Sequence, residues 1–175
     1  DTTYAYEGGR EMSISSILEE VRGFKTKLVC ITGGEPLINK ETPLLAEALL
    51  NERYTVLVET NGSCDISVLP KAAIKIMDLK CPDSNASPLM HWQNIAYLTP
   101  LDEVKFVLSS RKDYEWAKAI IQQHCLSEIA RVLIGTASGA IPPKTVVQWL
   151  MEDNLNVRFQ LQIHKYIWEP HARGV

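Results

Sequence analysis

The sequence lacks the features that mark membrane proteins and nucleic-acid-binding proteins. It contains no apolar run of the about 20 residues that span a bilayer, so we expect no membrane partner. Its 18 Lys and Arg residues are balanced by 21 Asp and Glu residues, which gives a net charge of −3. Because phosphate binding requires clustered basic side chains, we also expect no nucleic-acid partner.

Cysteine is scarce and irregularly spaced. The four cysteines, Cys30, Cys64, Cys81 and Cys125, form no C-x-x-C pair, so the sequence has no local zinc or iron–sulfur motif. Disulfides form mainly in secreted proteins, and nothing here indicates a secretory context. We therefore expect free thiols and a cytoplasmic location.

The apolar residues that are present suffice for one folded domain. Hydrophobic residues make up 46% of the 175 positions, and we expect residues 1–175 to form a single domain. Six short segments rich in Val, Ile, Leu and Phe predict buried strands. These segments are Leu28–Thr32, Tyr54–Glu59, Ile74–Leu79, Val104–Leu108, Arg131–Gly135 and Val157–Ile163.

Amphipathic segments alternate with these strands. Apolar residues three and four positions apart predict helices over Ile14–Val21, Pro43–Asn51, Asp113–His124 and Lys144–Glu152, with Ser13 as a candidate cap for the first. At about 26 residues per βα unit the chain holds about six units, whereas a complete eight-unit barrel takes about 250 residues. The predicted fold class is α/β with parallel strands, as an open partial βα barrel or a doubly wound sheet.

Polar residues or glycines follow every predicted strand. The carboxyl ends of parallel strands converge at one edge, where ligands bind in α/β proteins. The pattern therefore predicts a ligand site at this edge. The segments after the six strands are Thr32–Pro36, Glu59–Gly62, Asp78–Pro82, Ser109–Arg111, Gly135–Gly139 and His164–Lys165.

The most specific of these motifs is Gly33-Gly34-Glu35-Pro36. Two glycines allow a ligand to approach the backbone closely, and Gly34 can adopt a positive φ. The carboxylate of Glu35 suits an ammonium group. The motif lacks the G-x-x-x-x-G-K-[ST] pattern of a phosphate-binding loop.

Six segments, in order over nearly the whole chain, match a known family of enzymes. They are Asp1–Ala5, Ile31–Pro36, Glu59–Ser63, Asp78–Pro82, Glu103–Val107 and Phe159–Trp168. The Gly-Gly-Glu-Pro motif alone resembles that of radical S-adenosylmethionine (SAM) enzymes in general. With the first and last segments, the chain resembles 7-carboxy-7-deazaguanine synthases, which are radical SAM enzymes of queuosine and deazapurine biosynthesis.

The resemblance implies a reduced, partial βα barrel and a defined reaction. A [4Fe–4S] cluster reduces SAM, and the resulting 5′-deoxyadenosyl radical removes a hydrogen atom from 6-carboxy-5,6,7,8-tetrahydropterin. Ring contraction and loss of ammonia then give 7-carboxy-7-deazaguanine. The implied cofactors are SAM, the [4Fe–4S] cluster and Mg²⁺. The implied partners are the pterin substrate, an external electron donor such as flavodoxin, and a second copy of the enzyme in a homodimer.

The resemblance also implies roles for individual residues. It assigns substrate binding to Thr32 and His164 and magnesium binding to Thr2, and it identifies no catalytic acid or base. The SAM-binding positions that it implies are Gly34, Glu35, Asn61, Asp78, Leu79 and Lys80.

The chain departs from the family pattern because it lacks the three cluster cysteines. We expect those cysteines, with the first barrel strand, in a segment preceding Asp1, so we expect this chain alone to be inactive and Leu28–Thr32 to lie at a sheet edge. One alternative is a cluster-free, non-catalytic module that keeps the SAM groove, and another is a different radical SAM enzyme. A third is an unrelated α/β barrel enzyme that binds phosphate at its later loops.

Overall fold

In the computed structural model, which describes residues 9–84 and 90–169, six parallel strands form one sheet in sequence order. A doubly wound sheet reverses its strand order at a switch point, so the sequential order identifies an open, partial barrel. The strands are β1 (Leu28–Ile31), β2 (Thr55–Thr60), β3 (Ile74–Asp78), β4 (Glu103–Leu108), β5 (Arg131–Thr136) and β6 (Arg158–Phe159).

The α-helices are distributed unevenly along the sheet. α2 lies between β1 and β2, α3 and α4 lie between β4 and β5, and α5 lies between β5 and β6. In the part of the chain that the structure describes, the β2–β3 and β3–β4 connections contain only 3₁₀ turns. None of the described helices is long and apolar enough to cross a membrane. The helices are α1 (Ile14–Arg22), α2 (Thr42–Asn51), α3 (Arg111–Gln123), α4 (Leu126–Ile129), α5 (Pro143–Glu152) and α6 (His164–Ile167).

The two faces of the sheet differ in burial. Alternate residues of β2 and β4, including Val56, Val58 and Phe106, are fully buried against the helices. The intervening residues, such as Glu59 and Lys105, are only half-buried on the opposite, concave face. The helical face therefore forms the core, and the concave face remains accessible to ligands.

The predicted strand at the first edge is confirmed. β1 lies at the end of the strand order, and Leu28 is 55% exposed. The predicted cap of α1 is also confirmed, because the Ser13 side chain accepts a hydrogen bond from Ser16 N.

The predicted last strand, Val157–Ile163, is too long. β6 comprises only Arg158–Phe159, although Gln160 N still donates to Ile134 O at 2.8 Å. Beyond that residue the chain turns, because Ile163 N bonds back to Leu161 O instead of to β5. The sequence alternation therefore continued past the end of the hydrogen-bonded strand.

A buried ion pair ties the amino ends of β3 and β4 together. Lys75 Nζ lies 3.1 Å from Asp102 Oδ2, and both side chains are almost completely buried. The Asp102 carboxylate also accepts hydrogen bonds from Lys75 N at 2.7 Å, Thr99 N at 2.7 Å and Thr99 Oγ1 at 2.9 Å. Each carboxylate oxygen therefore has a donor, which compensates for the loss of water.

Removing the two partners of this pair should have unequal effects. Asp102→Ala leaves the buried Lys75 ammonium without its counter-ion and two backbone N–H groups without an acceptor, and should cost about 3–5 kcal/mol of unfolding free energy. Lys75→Met should cost less, since Asp102 keeps three donors. Urea denaturation of both variants tests this order, and an equal or reversed order would contradict it.

Candidate functional site

The loop after β1 is open to solvent. Thr32 and Gly33 are exposed, and a Cβ added to Gly33 would meet no atom within 4 Å. The positive φ falls on Gly33, at +144°, and not on Gly34, where the sequence analysis had placed that capacity. The strand ends at Ile31, so the first glycine makes the turn and the second enters the following segment.

The Glu35 side chain points back into the protein and joins two loops. The residue is only 9% exposed, and its Oε2 accepts hydrogen bonds from Thr60 Oγ1 at 2.8 Å and Asn61 N at 2.7 Å. Its Oε1 accepts from Leu37 N at 3.0 Å and caps a 3₁₀ turn. The structure thus brings together Glu35 and Asn61, two of the predicted SAM-binding residues.

The buried side chain of Asn94 holds the loop after β2 in place. Its buried Nδ2 donates to Gly62 O at 3.1 Å and to Cys64 O at 2.8 Å, and its Oδ1 accepts from Ile66 N at 3.1 Å. Asn61 Oδ1 accepts from Ser63 N at 2.9 Å within the same loop. The Asn61 side chain therefore shapes the turn, and its backbone N–H contacts Glu35.

The loop after β3 contains an incompletely bonded carboxylate. Asp78 Oδ2 pairs with Lys80 Nζ at 2.8 Å, while Asp78 Oδ1 is buried with no hydrogen-bond partner among the described residues. Leu79 is buried and continues the β3–β4 pairing by donating its backbone N–H to Lys105 O at 2.8 Å. Asp78 and Lys80 therefore face the site, whereas the Leu79 side chain belongs to the core.

Asp113 at the start of α3 holds the neighbouring part of this edge. Its buried carboxylate accepts hydrogen bonds from Asp83 N at 3.0 Å and Ser109 N at 2.9 Å. The loops after β3 and β4 are therefore joined to one helix end.

A cavity of about 440 Å³ lies on the concave face between β2 and the segment leading into α6. Glu59, Lys105 and Gln162 line it, as does the predicted substrate-binding residue His164. Thr32 is not among the residues that line it. The cavity therefore contains one of the two predicted substrate-binding residues.

Lys105 and Glu59 form an ion pair on the cavity wall, with Nζ 2.8 Å from Oε1. Burial lowers the pKa of Lys105, but the hydrogen bond to Glu59 and the charge of Asp78 outweigh burial and raise the pKa above its usual value. Lys105 is therefore a cation at neutral pH.

The cysteines do not form a metal centre in the described part of the chain. Across residues 9–84 and 90–169, no three His, Cys, Asp or Glu side chains are placed to hold a metal ion. Burial raises the pKa of both Cys30 and Cys81, so both are thiols at neutral pH in the absence of a metal. Thr2, the predicted magnesium ligand, lies outside the described residues.

Asn94, Asp113 and Lys105 shape the site but were not predicted from the sequence. A buried Asn within a 3₁₀ turn carries no periodic signal, and Asp113 resembles an ordinary acid in the first turn of a helix. Lys105 did carry a signal, because a charged residue within an apolar strand requires a partner.

The comparisons with known proteins agree with this geometry. The radical SAM superfamily matches residues 2–123. A 7-carboxy-7-deazaguanine synthase from Koribacter versatilis is 38% identical over 100% of this chain and 84% of its own length. A synthase of the same name from Chlorobaculum tepidum is 37% identical over 100% of this chain and 81% of its own length.

A solved structure shares the fold. The crystal structure of QueE from Escherichia coli superimposes with a TM-score of 0.70 at 18% identity. The superposition covers 86% of this chain and 64% of the QueE chain.

The protein is a radical SAM enzyme. Its open parallel sheet in sequence order, the Gly-Gly-Glu-Pro loop at the carboxyl edge of that sheet and the match to the radical SAM superfamily agree on this class. The superfamily implies SAM and a [4Fe–4S] cluster as cofactors. More narrowly, this chain belongs to the 7-carboxy-7-deazaguanine synthase family.

Gly62 provides a test of how tightly the loop after β2 is packed. A Cβ at Gly62 would lie 2.5 Å from Met90 Cε and 3.2 Å from Met77 Cγ, and the φ is +74°. Met90 Cε ends a flexible side chain that can move aside, so Gly62→Ala should cost about 1–2 kcal/mol for the backbone conformation and about 1 kcal/mol more for overpacking against Met77.

Gly139→Ala is the matched control, since its φ is +76° and no atom lies within 4 Å of the added Cβ. Gly139→Ala should lose only the unfolding free energy that the backbone conformation costs, about 1–2 kcal/mol. Equal losses of unfolding free energy in the two variants, measured by urea denaturation, would show that the packing beneath Gly62 is loose.

Proposed function

We propose that the protein is a 7-carboxy-7-deazaguanine synthase, which converts 6-carboxy-5,6,7,8-tetrahydropterin to 7-carboxy-7-deazaguanine with loss of ammonia. Membership of the synthase family supports this activity. The structural observation that carries the proposal is the pair of carboxylates at one sheet edge, Glu35 and Asp78, beside a cavity on the concave face.

The site has unfilled hydrogen-bond acceptors, and SAM carries donors that can fill them. A carboxylate has about four acceptor positions, and Glu35 uses three of them, which leaves one on Oε1 for an ammonium group. Asp78 Oδ1 is a buried acceptor that needs a donor. SAM carries an ammonium, two ribose hydroxyls and an adenine amine. We assign its binding to Gly34, Glu35, Asn61 and the loop of Asp78, Leu79 and Lys80, with Leu79 contributing backbone only.

The described residues do not fit the [4Fe–4S] cluster, because no trio of thiolates is present among them. When bound in a radical SAM enzyme, the cluster and SAM supply the radical that removes a substrate hydrogen. The residues described here contribute binding and orientation, which hold the reacting partners in a productive geometry.

Substrate and magnesium contacts complete the proposal. We assign His164, which lines the cavity, and Thr32, which directly follows β1, to substrate binding. Mg²⁺ is assigned to the hydroxyl of Thr2, a hard oxygen ligand.

We further propose an external electron donor such as flavodoxin, a homodimer and a cytoplasmic location. The four cysteines are free, which supports a reducing compartment. Within residues 9–84 and 90–169, β1 is an edge strand with one neighbour, which supports association with further polypeptide, since a strand edge can pair with another strand.

A cluster-free module that only binds SAM is the second candidate, favoured by the absence of a thiolate trio among the described residues. One experiment separates the two functions. The full-length protein, loaded anaerobically with iron and sulfide, should release ammonia and 7-carboxy-7-deazaguanine from 6-carboxy-5,6,7,8-tetrahydropterin and SAM, as followed by mass spectrometry. SAM binding without cluster or product would favour the module instead.

Glu35→Gln tests the proposed ammonium contact. The substitution removes the charge and should weaken SAM binding about 10- to 150-fold, the range for a charge-assisted hydrogen bond. It should also lower the melting temperature, because the amide loses an acceptor that Thr60, Asn61 or Leu37 requires. Equilibrium dialysis with labelled SAM measures the first effect and calorimetry the second.

Thr60→Val separates the two effects. It removes the hydroxyl donor to Glu35 but keeps the carboxylate charge, so it should lower stability and weaken SAM binding less than Glu35→Gln does. A Glu35→Gln protein that is less stable yet binds SAM with full affinity would show that Glu35 serves only the fold.

A further inference from the structure

The ion pair between Glu59 and Lys105 has no evident role in the fold. The side chains extend from β2 and β4 across the intervening β3 and meet on the concave face, away from the helical core. An apolar pair at such positions often stabilises a protein equally well or better. The presence of two charges on a cavity wall therefore requires another explanation.

The pair differs from the structural ion pair of the same sheet. Asp102 is fully buried, and each of its oxygens is hydrogen-bonded. The Glu59 side chain is 35% exposed, and among the described residues the hydrogen bond to its carboxylate comes from Lys105 alone, at Oε1. Its Oε2 is therefore available to a ligand in the cavity.

A second acceptor in the cavity is also unsatisfied. Gln162 lines the same cavity, and its Oε1 is buried with no partner among the described residues. Buried polar atoms in proteins are nearly always hydrogen-bonded. The cavity therefore suits a ligand that carries several N–H donors.

The pattern of donors and acceptors along the pair is specific. Glu59 presents two acceptors, and Lys105 presents a donor 2.8 Å from the nearer one. A 2-amino-4-oxopyrimidine edge has the complementary sequence, namely an amino donor, a ring N–H donor and a carbonyl acceptor. The Glu59 carboxylate and the pyrimidinone ring are both planar, and the Lys105 ammonium can turn one of its three N–H groups toward the ring carbonyl, so three adjacent hydrogen bonds can form.

We propose that Glu59 and Lys105 recognise the pyrimidinone edge of the pterin, and this inference rests on the proposed function. Glu59 Oε2 accepts from the 2-amino group, Glu59 Oε1 accepts from N3–H, and Lys105 Nζ donates to the C4 carbonyl oxygen. The pair thus determines specificity for a 2-amino pterin over a 2-oxo pterin, whose carbonyl would face the Glu59 carboxylate.

Glu59→Gln provides the test, because the amide can reverse the donor pattern. In the wild-type full-length protein, 6-carboxypterin should bind more tightly than 6-carboxylumazine, which has a carbonyl in place of the 2-amino group. In Glu59→Gln the affinity for 6-carboxypterin should fall about 10- to 150-fold. The Gln amide can donate to the lumazine carbonyl, so 6-carboxylumazine should bind at least as well as before. Equilibrium dialysis of both compounds measures the two affinities.

Glu52→Gln is the matched control, since it breaks the ion pair with Arg22, which joins α1 to α2, and leaves the cavity untouched. Its ratio of pterin to lumazine affinity should equal that of the wild type. If Glu59→Gln keeps the wild-type ratio of pterin to lumazine affinity, the proposed role of the ion pair is wrong. The proposed synthase activity would not be affected by that result. Failure of the wild-type protein to bind either compound or to form product would overturn both proposals.

Discussion

The carboxylate of Glu35 is the contact on which the candidate site depends. It takes three hydrogen bonds from the end of β2 and from its own turn, and so joins the glycine loop after β1 to the next strand. The described β2–β3 and β3–β4 connections contain no α-helix, although residues such as Ile66 and Leu98 still pack into the core. Side-chain to backbone hydrogen bonds join the neighbouring loops to one another.

Asn94 and Asp113 extend the same arrangement along the edge. Asn94 holds the loop after β2, and Asp113 holds the loops after β3 and β4. Each is buried and bonds to backbone groups of segments distant in sequence, which restricts loop motion at the point where a ligand must bind. A partial barrel can therefore keep a rigid carboxyl edge although it has fewer helices than a complete one.

The sequence predicted the repeating architecture well because hydrophobic periodicity reports burial directly. All six strands and the helices α1, α2, α3 and α5 occur close to their predicted positions. The prediction was wrong for the end of β6, because the alternating pattern continues after Gln160 while the chain leaves the sheet and turns. Contacts such as that of Glu59 with Lys105 depend on strand order and register, which no local pattern contains.

The number of hydrogen-bond donors to each carboxylate separates the residues that stabilise this fold from those that can bind a ligand. Asp102, at the amino ends of the strands, has a donor for every oxygen and sits in the core. Glu35 retains one acceptor position, and Asp78 retains a whole oxygen. A buried acceptor without a donor costs stability, so an unsatisfied carboxylate is retained where a ligand supplies the missing donor. The contrast between the fully bonded carboxylate of Asp102 and the incompletely bonded carboxylates of Glu35 and Asp78 therefore supports the proposal that ligands bind at the carboxyl edge.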